Sequence, residues 1–344
     1  RSHDEVPVAR AVAKHLGTQH TELYVTQRDA LATVERLPDV FDEPFADASQ
    51  IPTTVLAALA RQHVTVSLTG DGGDEAFGGY VRYRNEHGAL RHLYKLPASV
   101  RQALRGGMQA VPDPVWTGLA GLVPAKRRPR LLGSKVQKLA RALGHPSGGD
   151  RDRLFLTYWH EPPLAKALGE VRRTESLLDA AEDLRLVPSE RMQFWETQHY
   201  LPGDLLVKMD RACMAASLEA RSPLLDHRVV ELAWRLDPEL KAGPAQLKSV
   251  LRELLFRFVP RDLVDLPKQG FSVPVGAWLR SELRDFAEDA LAYARRELTG
   301  LLDMGPVDDA WQRHLQGQAG QAERMWTVVM FASWHRRWMG SVNV

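Results

Sequence analysis

Val64-Thr65-Val66-Ser67-Leu68-Thr69-Gly70-Asp71-Gly72-Gly73-Asp74-Glu75-Ala76-Phe77-Gly78-Gly79-Tyr80 is the stretch on which the reading of this chain turns. Its first five residues, rich in Val and Thr, read as a strand. A loop follows with Gly70, Gly72 and Gly73 set among Asp71, Asp74 and Glu75. In open α/β sheets ligands bind in such loops, at the carboxyl ends of the strands.

Upstream, Val6, Val8, Ala9, Val12, Ala13 and Leu16 recur at helical spacing over 5–16, and Gly17 supplies a stop. His20–Thr26 reads as a strand, 28–37 as a short helix, and 41–47 as an acidic loop broken by Pro44. A helix over 52–62 then leads into the strand at 64–68. This alternation predicts an α/β fold with a parallel sheet. Beyond Tyr80 the strand signals stop. Residues 81–150 are basic, helical in pattern and interrupted by prolines, and Gly144–Asp150 reads as a linker. From 151 to 344 the periodic segments all read as helix, including 190–199, 204–218, 227–235, 245–258, 278–296 and 322–338, with a Pro- and Gly-containing loop at 262–275. The expected division is therefore 1–150, an α/β core with a helical insertion, and 151–344, a helical part.

Composition excludes several classes. The 45 Lys and Arg against 43 Asp and Glu leave a net charge of +2, too little to argue for nucleic acid or a membrane surface. One cysteine, Cys213, permits no internal disulfide and fits a cytoplasmic protein. No run of about 18 apolar residues offers a membrane span. The histidines show no zinc-ligand spacing, and no G-x-S-x-G elbow is present. Trp311, Trp326, Trp334 and Trp338 sit at helical spacing, as core residues do.

The loop at 69–75 is neither of the familiar phosphate loops. A dinucleotide fingerprint would need its third glycine at Glu75, and no Gly-Lys-Ser/Thr follows for a P-loop. Acids in a glycine loop suit Mg²⁺ shared with a nucleotide phosphate, or the amino group of a small substrate. They equally suit a solvated turn with Asp71 or Asp74 as an N-cap. Ser147-Gly148-Gly149-Asp150 lacks a preceding strand and is a linker. In 202–214, Asp204 and Lys208 form an i,i+4 pair on a helix apolar enough to be buried, so its charges need partners. Residues 217–226 read as a helix end, a polar turn and a new helix, with Glu219 and Arg221 a candidate ion pair. Lys268, framed by Pro267 and Gly270, is either an exposed loop charge or a cation that closes on phosphate.

Taken in order, these segments resemble the synthetase domain of glutamine-dependent asparagine synthetases. The quoted features are Asp42-Glu43-Pro44-Phe45-Ala46-Asp47, the loop Thr69–Tyr80, Asp204-Leu205-Leu206-Val207-Lys208-Met209-Asp210-Arg211 with Glu219–Asp226, and Lys268–Pro274. The resemblance implies an adenine-nucleotide-hydrolase-like, Rossmann-like parallel sheet, here partial, followed by a large helical region. It implies that ATP with Mg²⁺ adenylates the β-carboxylate of aspartate, and that ammonia derived from glutamine then yields asparagine. By position, Thr69, Gly70, Asp71, Gly72, Gly73 and Glu75 would bind ATP and substrate and Asp74 would hold Mg²⁺. Lys268, Asp71, Asp204, Lys208 and Asp210 would carry the chemistry. A homodimer is compatible with this reading.

The departures are specific. The family's Ser-Gly-Gly-x-Asp-Ser pyrophosphate loop, its strand and the N-terminal glutaminase domain do not occur in these residues, Leu266 replaces the usual arginine, and Thr69 replaces serine. Two alternatives follow: a relative that activates another carboxylic acid, as β-lactam synthetases and other amidotransferases do, or a non-catalytic interaction module. The expectation is a C-terminal portion of a longer ligase. On that expectation the 344-residue chain alone makes no asparagine; ammonia-dependent synthesis by the purified chain would overturn it.

Overall fold

The computed structural model describes residues 6–22, 27–85, 93, 95–111, 115, 116, 118, 132–144, 157–159, 184, 186–243, 246–264, 273–318 and 320–340. Two units emerge, one of residues 1–81, 196–290 and 329–344, the other of 82–195 and 291–328. The division expected near 150 falls outside the described residues, as does the linker beyond Gly144. The helical periodicity also predicts helices over 153–168 and 176–183, of which only 157–159 are described, and these three are irregular, not helical.

The first unit holds the acidic loop. It opens with α1 (Val6–Leu16), closed by Gly17 in the left-handed region (φ 65°), where Thr18 N–H returns to Ala13 O at 3.0 Å. The strand expected at His20–Thr26 is absent over its described part. His20–Glu22 are irregular, and the Glu22 carboxylate takes a two-pronged contact from Arg10 at 2.6 and 2.7 Å. Next come α2 (Gln27–Val40), α3 (Gln50–Arg61), β1 (Val66–Leu68) and α4 (Gly73–Phe77). After the excursion into the second unit the chain returns as a π-helix (Glu196–Leu205), then α5 (Leu206–Ala215), β2 (Glu219–Arg221), α6 (His227–Arg235), α7 (Pro238–Ala242) and α8 (Ser249–Leu255).

β2 corrects the expectation of a polar turn at 217–226. It pairs parallel with β1 in the register Val66–Glu219, Ser67–Ala220 and Leu68–Arg221. Ser217, left-handed at φ 56°, turns the chain out of α5, and Leu218 is buried at 2% exposure. The ladder then closes through Glu219 N–H to Thr65 O (2.9 Å) and Thr69 N–H to Arg221 O (2.8 Å). The expected Glu219–Arg221 ion pair is present at 2.7 Å, between exposed side chains along the strand.

Two further segments differ from their periodicity. The helix expected to pause near 200 continues as a π-helix across Pro202. Proline lacks an N–H and crowds the turn before it, and a wider turn accommodates both. The helix expected over 245–258 begins only at Ser249, because Leu247 bridges to Ala242 and Lys248 is left-handed.

The core around the strands is small. Ala57, Cys213 and Leu218 form one buried cluster, joining α3, α5 and the entry to β2. Ala76, Phe77 and Ala233 form another, with Val229, Leu236, Val250 and Leu251 packed on it, so that α6 and α8 support α4. At the C-terminus Trp334 and Trp338 are not core residues. Their indole N–H groups donate to Asp42 O (2.9 Å) and Pro38 O (2.7 Å), fastening the last helix to the end of α2 and the acidic loop.

The described second unit is helical. Trp311 and Trp326 are buried as their spacing predicts, and Trp159 donates to Thr327 Oγ1 at 3.0 Å. Among the described residues no helix is long and apolar enough to cross a membrane.

Phe77, 4% exposed under the loop, and Leu68, 73% exposed on β1, should separate sharply on truncation. Phe77→Ala should cost about 3–5 kcal/mol, whereas Leu68→Ala should stay within about 0.5 kcal/mol. Urea unfolding of the two variants checks this.

Candidate active site

The loop after β1 is organised by Thr69. Its N–H completes the ladder, and its hydroxyl lies 2.7 Å from Asp71 Oδ2 and 2.8 Å from Ser222 Oγ. The ends of both parallel strands are thereby tied at one point. Gly72 is left-handed (φ 83°), and a Cβ there would stand 2.1 Å from Leu225 Cδ2. α4 starts at the next residue with no side-chain cap, so neither Asp71 nor Asp74 serves as the N-cap. Gly70 differs from its neighbours: among the described residues nothing lies within 4 Å of where its Cβ would be. The packing of those residues does not require that glycine.

Behind the loop Glu75 is buried at 1% exposure and accepts the Tyr80 hydroxyl, while Tyr80 meets Tyr200 of the π-helix edge-on with centroids 6.0 Å apart. Burial pushes the Glu75 carboxyl up, against the hydrogen bond from Tyr80. Burial and then the Glu75 charge push the Tyr80 phenol up, so Tyr80 keeps its proton. Asp74 faces Lys248, whose Nζ lies 3.0 Å from Oδ1. The left-handed backbone of Lys248 costs about 1–2 kcal/mol and persists only where surroundings enforce it.

A second group of charges forms where the acidic loop, the π-helix and α5 meet. Lys208, 7% exposed, turns to Asp47 Oδ2 (2.6 Å) and Ser49 Oγ (2.7 Å) rather than forming the local pair expected with Asp204. Ser49 also bonds Asp47 through its hydroxyl (2.6 Å) and its N–H (2.9 Å). Burial pushes Asp47 up, but the Lys208 charge and these hydrogen bonds outweigh it and hold the carboxyl below its ordinary value. Asp204 takes the opposite course. Burial first, and then the Asp47 charge, push it up to about 7 despite Lys208. Its Oδ1 is buried without a hydrogen-bond partner among the described residues. Two carboxyls pressed together cannot both ionise cheaply, so below about pH 7 Asp47 carries the charge and Asp204 the proton.

Of the residues singled out in the sequence, Thr69, Gly70, Asp71, Gly72, Gly73, Asp74 and Glu75 come together in and under one loop. Asp204 and Lys208 belong to the neighbouring cluster. Asp210 is exposed on α5, 3.0 Å from Arg211, which also reaches Asp42 at 2.9 Å. Lys268 and Leu266 lie outside the described residues. Asp47, Ser49, Tyr80 and Lys248 were not singled out. Asp47 and Tyr80 stood within quoted motifs, while nothing in the sequence distinguishes Lys248. Cys213 is a core thiol, pushed up by burial and by the charges of Asp71 and Asp210, hence no nucleophile.

Parallel strands whose ends are tied beneath a glycine-rich acidic loop, with helices packed around them, form the kind of edge at which open α/β domains bind ligands. The family profile described as asparagine synthase matches residues 1–336, and the chain belongs to the asparagine synthase family. It is 32% identical over 332 residues, 96% of this chain and 48% of that protein, to a putative glutamine-hydrolysing asparagine synthetase of Mycobacterium tuberculosis. To glutamine-hydrolysing asparagine synthetase 1 of Bacillus subtilis it is 28% identical, over 99% of this chain and 50% of that one. Amidase chry2 of Gibberella zeae is 24% identical over 95% of this chain and 50% of its own length. The chain thus spans about half the length of the curated relatives it matches.

The Asp47–Asp204 pair has a thermodynamic signature. Between about pH 4 and about pH 7 the native Asp204 holds a proton that the unfolded chain has lost, so its contribution to stability falls as pH rises through that window and is level above it. Asp47, held low, contributes the reverse, lost only as pH falls through its depressed folded value. Asp204→Asn should remove the falling component, so urea midpoints of wild type and variant should converge at low pH and part as pH approaches about 7.

Proposed function

We propose that the protein carrying this chain is a glutamine-dependent asparagine synthetase, and that the loop at 69–75 is part of its adenylation site. The observation that carries the reading is the tie from Thr69 to Asp71 and Ser222, which opens the ends of both parallel strands onto one acidic loop. Gly70, with nothing among the described residues opposite its Cβ position, leaves the backbone open to a close approach by a nucleotide.

In the reaction a carboxylate oxygen of aspartate attacks the α-phosphorus of ATP and pyrophosphate leaves; ammonia then attacks the acyl carbon and AMP leaves. Asp71, fixed by the Thr69 hydroxyl, is placed to hold the substrate amino group or to take a proton from the incoming nitrogen. Lys268 supplies positive charge where the transferring phosphate gathers negative charge. Burial and the Asp47 charge keep Asp204 protonated below about pH 7 beside the site, against the pull of Lys208, with Asp210 at the outer face of α5.

Mg²⁺ commonly binds through one or two carboxylates together with substrate phosphates. Asp74 fits that pattern as a single ligand shared with the nucleotide, and among the described residues no group of three His, Cys, Asp or Glu side chains gathers to hold an ion by itself. When bound, the ion would neutralise phosphate charge. A second reading, activation of another carboxylic acid, is favoured by the amidase relatives and by Leu266.

ATP–pyrophosphate exchange by the gene product that carries this chain, run against a panel of carboxylic acids, separates the two. Aspartate should support exchange, and Asp71→Asn should lower asparagine formation by about 10²–10⁴-fold. Exchange driven only by another acid establishes the second reading, and no exchange with any acid defeats both.

A further inference from the structure

Lys248 stands between the bridge that pairs Ala242 with Leu247 and the first turn of α8. Its backbone is left-handed (φ 53°, ψ 33°), which a lysine adopts only where its neighbours hold it. They hold it from two sides. Behind it, Val250 and Leu251 pack on the Ala76–Phe77–Ala233 cluster, so the start of α8 is fixed beneath α4. In front, its ammonium lies 3.0 Å from Asp74 Oδ1, with both side chains about two-thirds shielded.

Gly79 gives the independent observation. Its φ is not among the positive values, so its backbone conformation does not call for glycine. Space does. A Cβ at 79 would stand 1.7 Å from Asp74 Oδ1 and 2.3 Å from Lys248 Cε. The bare backbone in Phe-Gly-Gly-Tyr is the room in which this pair closes. A Cβ at Gly73 would stand 2.8 Å from Leu224 Cδ1, and at 3.7 Å only in ordinary contact with Lys248 Nζ.

We infer that Lys248 is a positioning residue of the acidic loop: it fixes the Asp74 carboxylate at the start of α4, and Gly79 is glycine so that it can. The functional half of this inference rests on the loop's being a nucleotide site; the pairing itself does not. Two acids, Asp71 and Asp74, on one loop would repel a polyphosphate, and an ammonium seated on one of them offsets half of that charge before the nucleotide arrives. Lys248 acts through Asp74.

The test uses Lys248→Met, Lys248→Arg, Gly79→Ala, Asp74→Asn and the double variant Lys248→Met/Asp74→Asn, in the gene product that carries this chain. Lys248→Met and Gly79→Ala should each lower kcat/KM for ATP by about 10–100-fold while KM for the carboxylic acid changes little. Lys248→Arg should recover most of the loss, because the charge at that place is what matters. Because Asp74 is also the proposed Mg²⁺ ligand, the double variant is read by unfolding: its midpoint should lie no lower than that of Lys248→Met, since the pair is already broken there. A lysine that merely supports α8 would lower unfolding midpoints yet leave kcat/KM for ATP within about twofold, and that result overturns the inference. If the wild type shows no ATP-dependent exchange, the proposed function is what fails. Unfolding midpoints of the same variants then decide the pairing, which additive effects exclude and non-additive effects sustain.

Discussion

A three-residue parallel ladder holds this site, and almost everything else in the first unit serves to keep it. Two strands are marginal as a sheet in water. Here β1 and β2 are 151 residues or more apart in sequence, so their pairing carries a large closure cost that the ladder's few hydrogen bonds cannot repay. The compensation is apolar: Ala57, Cys213 and Leu218 bury the entry to β2 against α3 and α5, and Phe77 with Ala233 anchors the exit from β1. The ladder's last hydrogen bond, Thr69 N–H to Arg221 O, is also the first element of the site, so strand register and loop geometry are a single constraint.

The same economy applies to charge. A lysine as buried as Lys208 is unfavourable unless its ammonium is satisfied, and Asp47 and Ser49 satisfy it from the other end of the domain's sequence. Asp204 enters that arrangement as a second carboxyl with only one lysine to share. The excess is met by retaining a proton instead of recruiting another cation: Asp47, bonded to the ammonium, is held low, while burial and the Asp47 charge push Asp204 up.

How much of this could be read from the chain depended on the range of the forces involved. Helix periodicity and the β-branched run before Thr69 are local, and α1, α2, α3, β1 and α6 stand close to where the sequence predicts them. β2 was illegible because Glu219-Ala220-Arg221 has no strand propensity of its own; its extended form is imposed by β1. The Lys208–Asp47 pair spans 161 residues, and no spacing rule reaches that far, whereas the nearer Asp204 offered a plausible local partner. The periodicity predicts separate helices at 190–199 and 204–218, but the segment between them is a π-helix, whose wider turn accommodates Pro202. Lys248 is the extreme case: residue type gives no hint of a left-handed backbone, and without that backbone the lysine would be one more helix-surface charge.

The glycines of the opening stretch, finally, are not one motif with one purpose. Gly72 and Gly78 are left-handed, and each also abuts a side chain, Leu225 and Ala242. Gly73 and Gly79 have unremarkable backbones and are glycine for room alone, because Leu224, Lys248 and Asp74 fill the space. These four are explained by the protein's own fold. Gly70 is not: its φ is not positive, and among the described residues nothing meets its Cβ position. On the proposed function, that open backbone is where a nucleotide can approach without meeting a side chain, and it is the part of the loop that Lys248 and Asp74 do not fill.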